Sequence, residues 1–175
     1  MDIFLQQLIN GLVLGSVYAL VALGYTMVYG ILELINFAHG EVTMIGAMIA
    51  LAVIGALVGN HVDLPGVVIV LLGVLAAIPI CMALAYVIER VAYRPLRNAP
   101  RLAPLITAIG VSILLQNIAM IIWGRQYISF PPILPASTFH FGGATISGLR
   151  IFILLLSVLL MAALVLLVQK TKLGR

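Results

Sequence analysis

The residues able to do chemistry are few, and they gather in two places. In "LELINFAHGE", Leu32 to Glu41, stand two of the five carboxylates and one of the three histidines, together with an asparagine: Glu33, Asn36, His39 and Glu41. In "ITAIGVSILLQN", Ile106 to Asn117, Gln116 and Asn117 are adjacent, with Thr107 and Ser112 upstream. His39 and Glu41 supply two ligands for a metal but no third close in sequence, and no HExxH or CxxC spacing occurs. The lone cysteine, Cys81, reads as a small packed side chain. There is no GxxxxGK[ST] loop to cradle a nucleotide, and no nucleophile stands at motif spacing from a base. The chain is therefore not read as an enzyme, and no cofactor or metal is expected.

Composition sets the medium in which these polar groups lie. Apolar residues make up 64% of the 175 and charged residues 8%, and the mean hydropathy is +1.27. A soluble domain carries about 25% charged residues, so this chain cannot coat itself with a hydrated surface. It reads as all-α, a polytopic helical protein of the lipid bilayer. The net charge of +4 does not point to nucleic acid, because of where the basic residues fall. None lies in residues 1–89; Arg90, Arg94, Arg97 and Arg101 then arrive together, and Lys170, Lys172 and Arg175 close the sequence. Basic residues at the ends of apolar runs set membrane orientation, and these are expected to face the cytoplasm.

A span needs about 20 mostly apolar residues. Five segments qualify, near Leu5–Leu32, Val42–Gly59, Gly66–Ile88, Ala103–Trp123 and Leu149–Val168. The first has no basic leader and is too long for a signal peptide. "GNHVDLPG" makes a tight turn, "ERVAYRPLRNAPR" links the third and fourth spans, and residues 124–148 form the longest connection, in which "TFHF" and "ATI" suggest a short hairpin. With the arginines inside, the 124–148 loop and residues 60–65 lie outside, 33–41 lies near the cytoplasmic face and the N-terminus is external. A re-entrant piece near residues 24–46 would reverse that last assignment. Pro79 predicts a kink in the third span. Gly11, Gly15 and Ala19, and likewise Gly55 and Gly59, recur every four residues, which allows helices to approach closely in lipid. Packing within the bundle is their plainer use, and homodimerisation the other.

On a regular helix Glu33, Asn36, His39 and Glu41 would spread over roughly 200° of arc at 100° per residue. A helix packed on one side cannot hide so wide a stripe, and a charge at mid-membrane costs about 2.5–3.5 kcal/mol on the lenient insertion scale. The segment is either a solvated turn at the membrane edge or a broken backbone lining a polar path, with Gly40 easing the break. Gln116 and Asn117 point about 100° apart and so cannot share one partner. They read as interhelical hydrogen-bond formers, at about 0.6 kcal/mol per bond, or as lining of a solute path. Tyr18, Tyr25 and Tyr29 read as packing or interfacial anchors.

Three blocks, "NGLVLGSVYALVALGYTMVYGILELINFAHGEVTMIGA" (Asn10–Ala47), "IERVAYRPLR" (Ile88–Arg97) and "ITAIGVSILLQN" (Ile106–Asn117), resemble the permease subunits of branched-chain amino-acid ABC importers, in particular their H-type subunit. The resemblance covers essentially the whole chain and implies a multi-pass subunit of the bacterial inner membrane that pairs with a second permease. It implies two cytoplasmic ATPase subunits and a periplasmic binding protein that delivers leucine, isoleucine or valine. The 124–148 loop would face the binding protein and the basic loops the ATPases. Glu33, Asn36, His39, Glu41, Gln116 and Asn117 become candidates for the translocation pathway or gate. The family continues past "KTKLGR", so this chain is expected to match the N-terminal part of one permease domain. The ATPase-coupling helix and about three further spans would lie outside it, and alone it would not couple to ATP.

Other readings keep different parts of this picture. The same kind of permease could carry urea or short amides, which no residue here separates from branched-chain amino acids. His39 and Glu41 could belong to a membrane metalloenzyme, or the chain could be a fragment that serves only as a scaffold.

Overall fold

The computed structural model describes residues 2–32, 36–61, 64–97, 99–100, 102–133, 138–141 and 144–170. Among them are five helices long and apolar enough to cross a membrane. They are α1 (Asp2–Leu32), α2 (His39–Gly59), α3 (Gly66–Ile88), α4 (Leu102–Trp123) and α5 (Gly148–Lys170). The polytopic helical reading holds, and the protein is a multi-pass membrane protein. Large apolar side chains such as Leu75, Met82 and Ile121 stand exposed around the helices. That would be untenable in water, but against lipid tails it is an ordinary outer surface.

The chain divides into two compact units, residues 1–32 with 134–175 and residues 33–133. In the first, α1 and α5 pack together and both touch a short hairpin, β1 (Thr138–Phe141) and β2 (Ala144–Ser147). The two strands pair antiparallel, Thr138 opposite Ser147 and Phe141 opposite Ala144. The hairpin expected from "TFHF" and "ATI" is therefore present, one residue longer in its second strand. Near the start of α5, the Arg150 guanidinium donates to the Asn10 side chain of α1.

In the second unit α2 lies along α3 and also meets α4. A Cβ on Gly73 would come 2.9 Å from Ile54 Cγ1 and 3.0 Å from the Ala50 carbonyl oxygen, and one on Gly46 would come 2.7 Å from Cys81 Sγ. The two contacts share a register: Gly46, Ala50 and Ile54 recur every fourth residue on α2, and Gly73, Ala77 and Cys81 do so on α3. Small residues at that spacing form a ridge along one helix face, and here two such ridges run antiparallel. The Cys81 thiol also approaches the Val42 carbonyl at 3.7 Å, so its reading as a packed side chain holds.

The glycine series singled out in the sequence is not the one that packs. A Cβ on Gly11, Gly15, Gly55 or Gly59 would meet nothing within 4 Å, so these positions form no close seam among the described residues. Equal spacing admits several ridges on one helix, and only the packing partner selects among them.

Arg90 to Leu96 is a second correction. Expected as part of a link, it continues the third helix through a π-helical turn (Glu89–Tyr93) and a 3-10 turn (Arg94–Leu96). The helical run from Gly66 to Leu96 is 31 residues, well beyond the 20 or so that a bilayer requires. Charge ends the hydrocarbon here but not the helix; Pro95 and the wider turn end that. Gly124, at φ +83°, stops α4 by adopting the left-handed conformation open to glycine, and its N–H bonds the Met120 carbonyl at 3.0 Å.

Candidate functional site

The polar stretch is a break between helices. α1 ends at Leu32, Asn36–Ala38 is non-helical, and α2 begins at His39. Gly40, expected to ease the break, instead lies inside the first turn of α2. The residue that shapes the break is Asn36. Its Oδ1 accepts the Ala38 backbone N–H at 3.0 Å, the local turn that asparagine side chains favour, and its carbonyl accepts the His39 N–H at 3.1 Å. The same Oδ1 accepts a 2.6 Å hydrogen bond from the Tyr93 hydroxyl, 57 residues away. Ala38 is completely buried and Tyr93 is 8% exposed, and both belong to a core with Ile45, Ile88, Ala108 and Leu115. The unwound backbone is thus held in protein, the condition for irregular backbone at membrane depth. The π-helical turn is what brings Tyr93 to it, a local widening often found at functional sites.

A second node lies five residues on. Glu41 Oε1 accepts two hydrogen bonds from α4, 2.7 Å from Gln116 Nε2 and 3.1 Å from Ser112 Oγ. The two donors are four residues apart and so lie on one face of α4. At 1.5 Å per residue, Ser112 lies about 15 Å from the start of α4, close to its middle. On the other side of α2 the neighbouring Val42 is level with Cys81, about 22 Å along the run from Gly66 to Leu96 by the same rise. Glu41 itself stands in the first turn of α2, so the start of α2 lies beside the middle of α4. Glu41 and Ser112 are half-buried and Gln116 is exposed, so the node opens to one side.

The candidates separate accordingly. Asn36, Glu41 and Gln116 each form a contact between distant segments. His39 is half-buried in the first turn of α2, and its carbonyl accepts the Thr43 hydroxyl at 3.1 Å. Asn117, beside Gln116, turns away and donates to the Ile113 carbonyl of its own helix at 2.7 Å. Of the basic residues, Arg90 and Arg94 lie on the π and 3-10 turns and Arg97 directly follows them, and Arg90 stacks over the Tyr86 ring at 5.9 Å and donates to its hydroxyl. Lys170 ends α5. Glu33, Arg101, Lys172 and Arg175 lie outside the described residues. Of the residues in these contacts, Tyr93 was not picked out from sequence, and Ser112 was noted only as lying upstream of Gln116. Ser112 was signalled by its spacing of four from Gln116. Tyr93 sat among arginines, where an aromatic residue reads as an interfacial anchor.

A side-chain-capped turn at Asn36–Ala38, followed by a carboxylate in the first turn of α2 that two side chains of α4 hydrogen-bond, defines a membrane protein with a polar node among its apolar helices. The sequence comparisons narrow this. Residues 7–175 match the family model described as branched-chain amino acid transport system / permease component, and the chain belongs to that family. It is 48% identical over 178 residues to the high-affinity branched-chain amino acid transport system permease protein BraD of Pseudomonas aeruginosa. It is 44% identical over 177 residues to the permease protein LivH of the corresponding system in Escherichia coli and in Salmonella typhimurium. In each case 98% of this chain is covered but only 57% of the relative, so the chain spans little more than half of their length. No solved structure matches it.

Proposed function

We propose that the chain is part of the membrane-spanning permease of an ATP-driven importer for branched-chain amino acids, with the α2 break and the Glu41 node bordering the route of the solute. The observation that carries this is the Glu41 carboxylate in the first turn of α2, tied to α4 by two neutral donors. Ionisable groups inside the bilayer are costly and mark solute or ion pathways, and here one occurs in a chain of a transport family. In this reading Glu33, Asn36, His39, Gln116 and Asn117 lie along or beside the same route. Arg90, Arg94, Arg97, Arg101, Lys170, Lys172 and Arg175 hold the cytoplasmic side, in the inner membrane of a bacterium.

The chain has no nucleotide loop, so the energy comes from partners: two cytoplasmic ATPase subunits, a second permease to complete the path, and a periplasmic binding protein to deliver the substrate. The membrane subunits then alternate between outward and inward access. The test is reconstitution of the complete transporter in proteoliposomes. Leucine, isoleucine and valine are expected to stimulate ATP hydrolysis and to accumulate inside, while urea and acetamide do neither. Stimulation by urea or acetamide alone would replace the cargo, and no stimulation by any of them would remove the importer reading.

A further inference from the structure

Glu41 is bonded through one oxygen only. Ser112 and Gln116 both donate to Oε1, and Oε2 takes no hydrogen bond from any described residue. A carboxylate has about four lone-pair sites, so half of its acceptor capacity is open. Both donors are neutral, and among the described residues no cation pairs with Glu41. The node therefore suits a mobile cation that brings its own hydrogen-bond donors. A bare metal ion fits poorly, because calcium wants six to eight oxygens and magnesium six, whereas this node turns an amide N–H₂ and a hydroxyl toward the carboxylate. An ammonium group carries three donors and a full charge, and every zwitterionic amino acid has one.

On this basis, and resting on the importer reading above, we infer that Glu41 is the substrate-contacting residue that receives the α-ammonium of the amino acid in transit, through Oε2. Ser112 and Gln116 are positioning residues. They hold Oε1 and leave the second oxygen without a hydrogen bond from any described residue. The interaction recognises the group common to all amino acids and leaves the side chain to be selected elsewhere. It also offers a cationic group partial return for the water it loses on entering the protein, as a charge-assisted hydrogen bond.

The experiment compares leucine uptake by the complete reconstituted transporter carrying Glu41→Gln, Glu41→Asp or the double variant Ser112→Ala/Gln116→Ala. Glutamine keeps the size and a carbonyl oxygen able to accept both α4 donors, so it removes the charge and spares the tie. Glu41→Gln is expected to lower turnover roughly 10- to 100-fold, the range of a charge-assisted hydrogen bond. The half-saturating leucine concentration, set by the binding protein, and the amount of assembled complex should stay unchanged. Glu41→Asp, which keeps the charge, should retain more turnover than Glu41→Gln, and the double variant should lose less than either. Uptake by Glu41→Gln within twofold of the wild type would overturn the inference and leave the importer reading standing. So would an equal or larger loss in the double variant, which would make Glu41 a structural tie. Failure of the wild-type complex to move any amino acid would sink the importer reading, and this inference with it.

Discussion

The seam between α2 and α3 and the contact between α2 and α4 hold the same helix in different ways. Against α3 the contact is dry: Gly46 and Gly73 admit Cys81, Ile54 and the Ala50 backbone to distances that no side chain on either glycine would allow. On the α4 side, where Ala108 and Leu115 share an apolar core with Ile45, two hydrogen bonds onto one carboxylate oxygen are added. Lipid tails are as apolar as leucine, so helices in a bilayer gain nothing from hiding apolar surface from them. Close packing and hydrogen bonding are what remain; glycine packing dominates on the α3 side of α2, and the carboxylate bonds distinguish the α4 side. The difference bears on motion. A glycine-packed seam loses many small contacts if it slides by an ångström, whereas two hydrogen bonds to a carboxylate can break and reform with another partner. The α2–α3 pair is therefore expected to move as one piece, and the α4 contact to be the side that rearranges if the helices shift.

The largest effect should come from filling the dry seam. Gly73→Leu drives a branched side chain into Ile54 and the Ala50 carbonyl, and overpacking of this kind costs typically 1–3 kcal/mol and occasionally more. With backbone as the obstacle, we expect a loss of about 3 kcal/mol at the upper end of that range, read by denaturant unfolding of the purified protein in detergent. A loss under about 0.5 kcal/mol, the size of an ordinary surface substitution, would break the comparison.

A smaller effect tests the polar closure of the helix break. Tyr93→Phe removes the 2.6 Å bond to Asn36 while keeping the ring in the core. Such bonds average about 0.6 kcal/mol in membrane proteins and reach about 1.7. Because Tyr93 is nearly fully buried and Asn36 partly so, a loss of about 1 kcal/mol is expected from the same unfolding measurement. Tyr86, whose hydroxyl accepts a bond from Arg90 on an exposed face, is the control. Tyr86→Phe should change stability by less than about 0.5 kcal/mol. Equal losses in the two variants would mean that the Tyr93 tie does nothing beyond what an exposed bond does.

The sequence disclosed these features unevenly. The third span was legible to the residue at both ends, Gly66 and Ile88, because Pro65 directly precedes it and the charged pair Glu89 and Arg90 follows. The helix beyond it was not, since arginines mark the end of hydrocarbon and say nothing of backbone geometry. In the site, the 100° step between Gln116 and Asn117 required different partners, and they have them. Which of the two would face α2 depends on the rotation of α4, which an almost uniformly apolar helix does not declare. Polar residues flanked by apolar ones announced where chemistry could occur, but the bonds that organise it span 57 to 75 residues, and separations of that length are set by tertiary packing.

The smallest effect has the opposite sign. Gly55 lies in α2 just beyond Ile54, yet a Cβ there would meet nothing within 4 Å, so the seam that constrains Gly73 does not reach it. Glycine inside a helix is less favourable than alanine by about 0.5–1 kcal/mol, because it gives up more backbone freedom on folding. Gly55→Ala should therefore stabilise the purified chain by roughly half a kcal/mol, the low end of that range, seen as a small upward shift of the unfolding midpoint. Gly73→Ala on the packed seam should shift it downward, because even one methyl group meets Ile54 and the Ala50 oxygen. Opposite signs for the same substitution on two apolar helices would show that contact, and not glycine content, decides where these helices approach. If Gly55→Ala is instead destabilising, a further helix packs against that face in the assembled protein, and the dry seam of α2 is wider than its contact with α3.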